Sequence, residues 1–76
     1  MILRATENSI NISRIYVKFR DKKEFDKPYD LTIKNGEIIV IAVAKEVKEI
    51  EKVVVDASSL KTSSKSKKGI LYFFLD

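Results

Sequence analysis

The chain has no cysteine, histidine, tryptophan or glutamine among its 76 residues, and only one methionine, one proline and two glycines. Each shortage excludes something. Without cysteine, no disulfide can brace a small core. Without histidine, a zinc staple would rest on carboxylates, which rarely build a structural zinc site. The same two absences remove the commonest general base and the best nucleophile, so no enzymatic activity is expected. Gly36 and Gly69 stand alone, which rules out a glycine-rich phosphate loop. Asp21, Glu24, Asp26 and Asp30 form an acidic group, but Lys22, Lys23 and Lys27 interrupt it and oppose a cation. No metal and no cofactor are expected.

Long apolar runs are also missing. The longest, "IIVIAVA" at residues 38–44, falls far short of the ~20 residues of a membrane-spanning helix. "MILRATENSI" lacks the apolar stretch of a signal peptide. A soluble cytoplasmic protein with no membrane partner is expected. Lys, Glu, Ile and Val abound while thermolabile residues are scarce, a shift seen in proteins of thermophilic and archaeal type.

A chain of this length makes one domain, and it hides only about 60% of its unfolded surface. It therefore needs a tight core, a homo-oligomer or a larger protein complex to join. The hydrophobic fraction of 45% is that of a folded protein. The formal charge is +4, unevenly spread: +2 over residues 1–38, −1 over 39–60 and +3 over 61–76. A basic excess gathered in one segment is the footprint of an anionic partner, most often nucleic acid, although a small domain also carries such a charge for solubility alone.

The apolar pattern is mostly that of strands. "INISRIYVKFR" (residues 10–20) alternates Ile15, Val17 and Phe19 with Arg14, Tyr16, Lys18 and Arg20. Ile10 and Ile12 have the opposite parity, so a β-bulge near Ser13 would bring all five apolar residues to one face. A further short strand fits Ile2–Ala5. "DKKEFDKP" (21–28) reads as a charged loop. Asn35-Gly36, between two β-rich runs, predicts a two-residue type I′ hairpin turn that pairs Lys34 with Glu37, Ile33 with Ile38 and Leu31 with Val40. Residues 45–52 change to a helical period, with a continuing strand as the rival. "VVVDA" (53–57) is strand. Residues 58–69, "SSLKTSSKSKKG", read as a basic loop, and "ILYFFL" (70–75) as a final strand. Ile38–Val43 and Ile70–Leu75 are apolar on both faces, which calls for cover on both.

Three strands, a short helix and two strands predict a mainly β fold with one helix: a small five- to six-stranded barrel, OB-like or SH3-like. Two groups are candidate binding residues on such a barrel. Lys61, Lys65, Lys67 and Lys68 in the basic loop can reach phosphates. Arg14, Tyr16, Lys18 and Arg20 share a strand face, where cations beside an aromatic ring suit single-strand binding. The expected function is non-enzymatic binding of nucleic acid, single-stranded DNA or RNA, in an accessory subunit of a nucleoprotein assembly. The alternative is a protein-interaction subunit that docks on a larger complex through its apolar strands.

Overall fold

The computed structural model describes residues 1–43, 46–59 and 61–76. Ala44, Lys45 and Leu60, which fall in the apolar run, the expected helix and the expected basic loop, lie outside the described residues. The fold is mainly β. Its strands are β1 (Ile2–Ala5), β2 (Ile10–Phe19), β3 (Glu24–Ile33), β4 (Ile38–Val40), β5 (Ile50–Ala57), β6 (Thr62–Lys67) and β7 (Ile70–Leu75). Among the described residues, only one turn of 3-10 helix, Val47–Glu49, interrupts them. The helical period at 45–52 thus yields a single turn before β5 begins at Ile50, because so short a segment cannot sustain a helix alone.

The strands form two sheets. One has the order β4-β1-β7-β6, and the other β3-β2-β5. β1 and β7 run parallel; every other neighbouring pair is antiparallel. The hydrogen-bonded ladders do not close on themselves, so the expected closed barrel is replaced by two packed sheets. One apolar cluster joins them. Leu3, Ala5, Phe73 and Leu75 of the four-stranded sheet meet Ile10, Ile12, Ile15, Val17, Phe19 and Ile33 of the three-stranded one. The shortest dimension, 18 Å, suits two sheets stacked about 10 Å apart.

β2 supplies half of that core because of its bulge. Its register shifts between Ile12 and Arg14 against both neighbours, and all five apolar side chains of the strand end up buried.

Three connections differ from the sequence-based expectations. Asn35-Gly36 does turn the chain, with the Glu37 amide donating to the Lys34 carbonyl at 2.9 Å. Positive φ occurs at Gly36 (83°) but not at Asn35. A type I′ turn needs it at both positions, and turns of type I or II splay the flanking strands. β3 and β4 accordingly enter different sheets, and the pairing of Ile33 with Ile38 does not form. β1 takes β4 instead, pairing Leu3 with Ile39, while the Gly36 amide donates to the Ala5 carbonyl at 2.9 Å.

The charged stretch 21–28 is mostly strand. Only Asp21–Lys23 turns, with Lys22 at φ 73°, and β3 starts at Glu24. β3 is an edge strand, which is where a sheet tolerates a proline such as Pro28. Half of the stretch 58–69 is also strand rather than loop: β6 pairs with β7 from Thr62–Leu75 to Lys67–Ile70. Lys68 and Gly69 both have positive φ, at 50° and 75°, and form the two-residue turn between them. Thus the hairpin with positive φ at both central residues lies at Lys68-Gly69.

Candidate functional site

The two outward faces differ in kind. On the three-stranded sheet, β2 presents Arg14, Tyr16 and Lys18, in register with Pro28, Asp26 and Glu24 of β3 and with Asp56, Val54 and Lys52 of β5. This alternation brings acids beside the bases. The Arg14 guanidinium grips Asp26 through Nε at 2.8 Å and a second nitrogen at 2.9 Å, and reaches Asp56 at 3.5 Å. Arg14 therefore holds the Asp26 carboxyl below its usual pKa, and the two carboxylates raise that of Arg14. Arg14 also lies 5.2 Å from the centre of the Tyr16 ring. Partial desolvation, then Glu24, raises the Tyr16 hydroxyl above the ordinary phenol pKa. Lys18 pairs with Glu51 at 3.7 Å, and Arg20 Nε donates to the Lys48 carbonyl at 3.0 Å. All four residues expected on this face therefore already have partners within the chain. Asp30 accepts a hydrogen bond from Asn11, and among the described residues no three acidic groups are placed to hold a metal ion.

The outer face of the four-stranded sheet has the opposite character. Ladder register lays out two rows across it. One runs Val40, Ile2, Tyr72, Lys65; the next runs Ile38, Arg4, Phe74, Ser63. A third pair, Ile70 and Lys67, sits beside the turn. The period-two alternation of β7 explains the layout: Phe73 and Leu75 go to the core, which sends Tyr72 and Phe74 outward. The expected cover on both faces of Ile70–Leu75 is complete on one face and partial on the other, where Ile70 is exposed and Tyr72 and Phe74 are half-buried. β4 behaves alike, with Ile38 and Val40 left 56% and 69% exposed.

Two cavities indent this surface. One of about 300 Å³ is lined by Ile2, Arg4, Ile38, Tyr72, Phe73 and Phe74. The other, of about 230 Å³, is lined by Lys65, Lys67, Tyr72 and Phe74. The two aromatic residues border both. Among the described residues, neither Arg4 nor any of Lys61, Lys65, Lys67 and Lys68 forms an ion pair. Lys61 precedes β6, its carbonyl accepting the Asp76 amide at 2.9 Å, and Lys68 occupies the hairpin turn. Thr6 Oγ1 donates to the Asp76 carboxylate.

The fold thus separates the two groups of candidate residues. Lys65 and Lys67 join Tyr72 and Phe74 on one sheet, while Arg14, Tyr16, Lys18 and Arg20 belong to the other. Sequence reasoning missed Tyr72, Phe74 and Arg4. The available signal was Lys68-Gly69: a two-residue turn there puts Lys65 beside Tyr72 by counting alone.

Among the described residues, no helix is long and apolar enough to cross a membrane. Comparison with protein-family models, curated proteins and solved structures finds no match to this chain.

Proposed function

We propose that this protein is a non-enzymatic binder of single-stranded nucleic acid, an accessory component of a nucleoprotein assembly, and that it binds across the outer face of its four-stranded sheet. The observation that carries this is Tyr72 and Phe74 side by side on a central strand, with the unpaired Lys65 and Lys67 on the neighbouring one. Rings that stack bases, next to cations that attract the backbone, are the working parts of single-strand binders. A closed barrel is not required.

Spacing favours a single strand over a duplex. Two positions along a strand separate the rings by about 7 Å. Stacked bases in a duplex lie about 3.4 Å apart along each strand. Bases seated on both rings are therefore splayed from one another, as in an extended single strand. The lysines lie to one side of the rings, so the backbone runs along β6 and the bases lie over β7.

A second reading has an observation of its own. Ile38, Val40 and Ile70 are exposed large apolar residues, and Ile2, Val40 and Ile70 also border a third cavity of about 270 Å³. Such a surface suits docking on a larger protein. Salt separates the two readings. Phosphate binding releases counterions and weakens steeply as salt rises, whereas an apolar interface does not.

The test is a fluorescence titration of single-stranded DNA and RNA oligomers, about ten nucleotides long to match known site sizes, at several salt concentrations. Affinity should fall linearly on a double-logarithmic plot. Replacing Lys65 and Lys67 with Ser should lower the slope by about 0.7 for each phosphate that is no longer neutralised. Absence of salt-sensitive binding to either oligomer near about 50 mM salt would overturn the proposal in favour of protein docking.

A further inference from the structure

We infer that the cavity beside Arg4 receives a guanine base, with Arg4 reading its edge. This rests on the single-strand reading above and adds a base preference to it.

Placement comes first. Arg4 lies on β1 and Lys65 on β6, on opposite sides of β7. Two strand spacings separate them, about 10 Å. With the phosphates held at Lys65 and Lys67, a nucleotide whose base stacks on Tyr72 or Phe74 extends away from β6. One edge of that base arrives over β1. Arg4 is in register with Phe74 on one side and Ile38 on the other, so it stands where that edge ends. It is a base contact by position, and the lysines are backbone contacts.

Chemistry then selects the base. Among the described residues, Arg4 is the only charged side chain lining the 300 Å³ cavity, whose other lining residues are Ile2, Ile38, Tyr72, Phe73 and Phe74. A guanidinium offers donors only, in a rigid fork. Its best partner is an edge with two adjacent acceptors. Guanine presents O6 and N7 together. Adenine presents N7 beside an amino donor, and thymine a single O4 with a methyl group; unpaired cytosine presents N3 and O2 together, but on a smaller ring that gives Tyr72 and Phe74 less area to stack on. An amino donor turned toward Arg4 gains no hydrogen bond from it, which selects against adenine. The apolar cavity walls also offer a guanidinium no carboxylate to satisfy it first. On the other sheet, Arg14 and Lys18 are spent in that way.

The experiment uses the whole protein and thymidine oligomers of about ten nucleotides that carry one central guanine, adenine or cytosine. The guanine oligomer should bind roughly tenfold or more tightly than the adenine one. Replacing that guanine with 7-deazaguanine should remove most of the gain, because N7 is absent. Arg4→Ala should collapse the guanine-to-adenine ratio toward one with the salt slope preserved, and Arg4→Lys should also lose the preference, since an ammonium lacks the fork. Arg4 is exposed, so both variants should melt as the wild type does. Equal binding of the guanine and adenine oligomers by the wild type overturns this inference and leaves the single-strand reading standing. So does an Arg4→Ala variant that loses affinity equally for every base with a lower salt slope, because Arg4 then binds phosphate. Failure of the wild type to bind any of the oligomers overturns the single-strand reading, and this inference with it.

Discussion

The two sheets share one core and expose opposite surfaces. On the three-stranded sheet, Arg14 is gripped by Asp26 and Asp56, Lys18 faces Glu51, and Tyr16 lies under a guanidinium. On the four-stranded sheet, Tyr72 and Phe74 lie among Arg4, Lys65 and Lys67, and none of these three cations has an acidic partner among the described residues. Both faces combine an aromatic ring with cations, yet Arg14 and Lys18 beside Tyr16 are held by acids, while Arg4, Lys65 and Lys67 beside Tyr72 and Phe74 have none among the described residues. A cation next to a ring is therefore a weak indicator of binding until its carboxylates are located. Exposed pairs of the first kind contribute little to stability and also neutralise the surface that bears them.

The contrast depends on the core that holds the sheets together, so the largest effects come from there. Leu75 is fully buried on β7, directly behind the proposed face. Leu75→Ala should cost about 2–5 kcal/mol, much of the stability of so small a domain, and abolish cooperative melting or lower its midpoint sharply. Calorimetry checks this. An unchanged midpoint would mean that β7 is not anchored as described.

Next is the turn that aligns Lys65 with Tyr72. Gly69 has φ 75°, and nothing lies near the position a side chain would take. Gly69→Val is penalised by backbone conformation alone, by about 1–3 kcal/mol. The variant should melt at a lower temperature and also bind single strands more weakly, because the hairpin places the lysines. A variant that melts lower but binds as before would detach β6 from the site.

The smallest effect sharpens the other face. Arg14 keeps the folded-state pKa of Asp26 below its unfolded value. Asp26 thus adds stability above the unfolded pKa of about 3.9, and this is lost as pH falls through the lower folded value. Asp26→Asn should change the melting midpoint little at neutral pH and make its decline below about pH 4 shallower. Melting curves across that range decide it; an unaltered acid profile would mean that the Arg14 pair is not formed in solution.

Much of this architecture can be read from residue types. The bulged β2 follows from the parity change between Ile12 and Ile15, and β7 coincides with "ILYFFL" over Ile70–Leu75. Turn type was not legible. Asn35-Gly36 is the better hairpin signal by composition, yet Asn35 keeps negative φ, and β4 pairs with β1, more than thirty residues away in sequence. Lys68 adopts the positive φ that Asn35 does not, although lysine rarely does so. Burial is misread from the sequence for a related reason. A strand apolar on both faces argues for cover on both, yet β7 buries Phe73 and Leu75 on one face and leaves Tyr72 and Phe74 on the outer one. The cations of β2 look available in the sequence because the acids that neutralise them come from β3 and β5, a pairing the linear order does not display.

The most direct test compares the two faces with one ligand. Tyr72→Ala, Phe74→Ala and Tyr16→Ala are each titrated with the same fluorescent single strand at about 50 mM salt, after confirming that all three melt cooperatively. Removal of a stacking ring takes away about 1–3 kcal/mol of binding, roughly five- to 150-fold in affinity. The expected result is a drop of that size for Tyr72→Ala and for Phe74→Ala, and wild-type affinity for Tyr16→Ala. A Tyr16→Ala variant that weakens as much as the other two, or Tyr72 and Phe74 variants that bind as the wild type does, would contradict the assignment of binding to the four-stranded sheet.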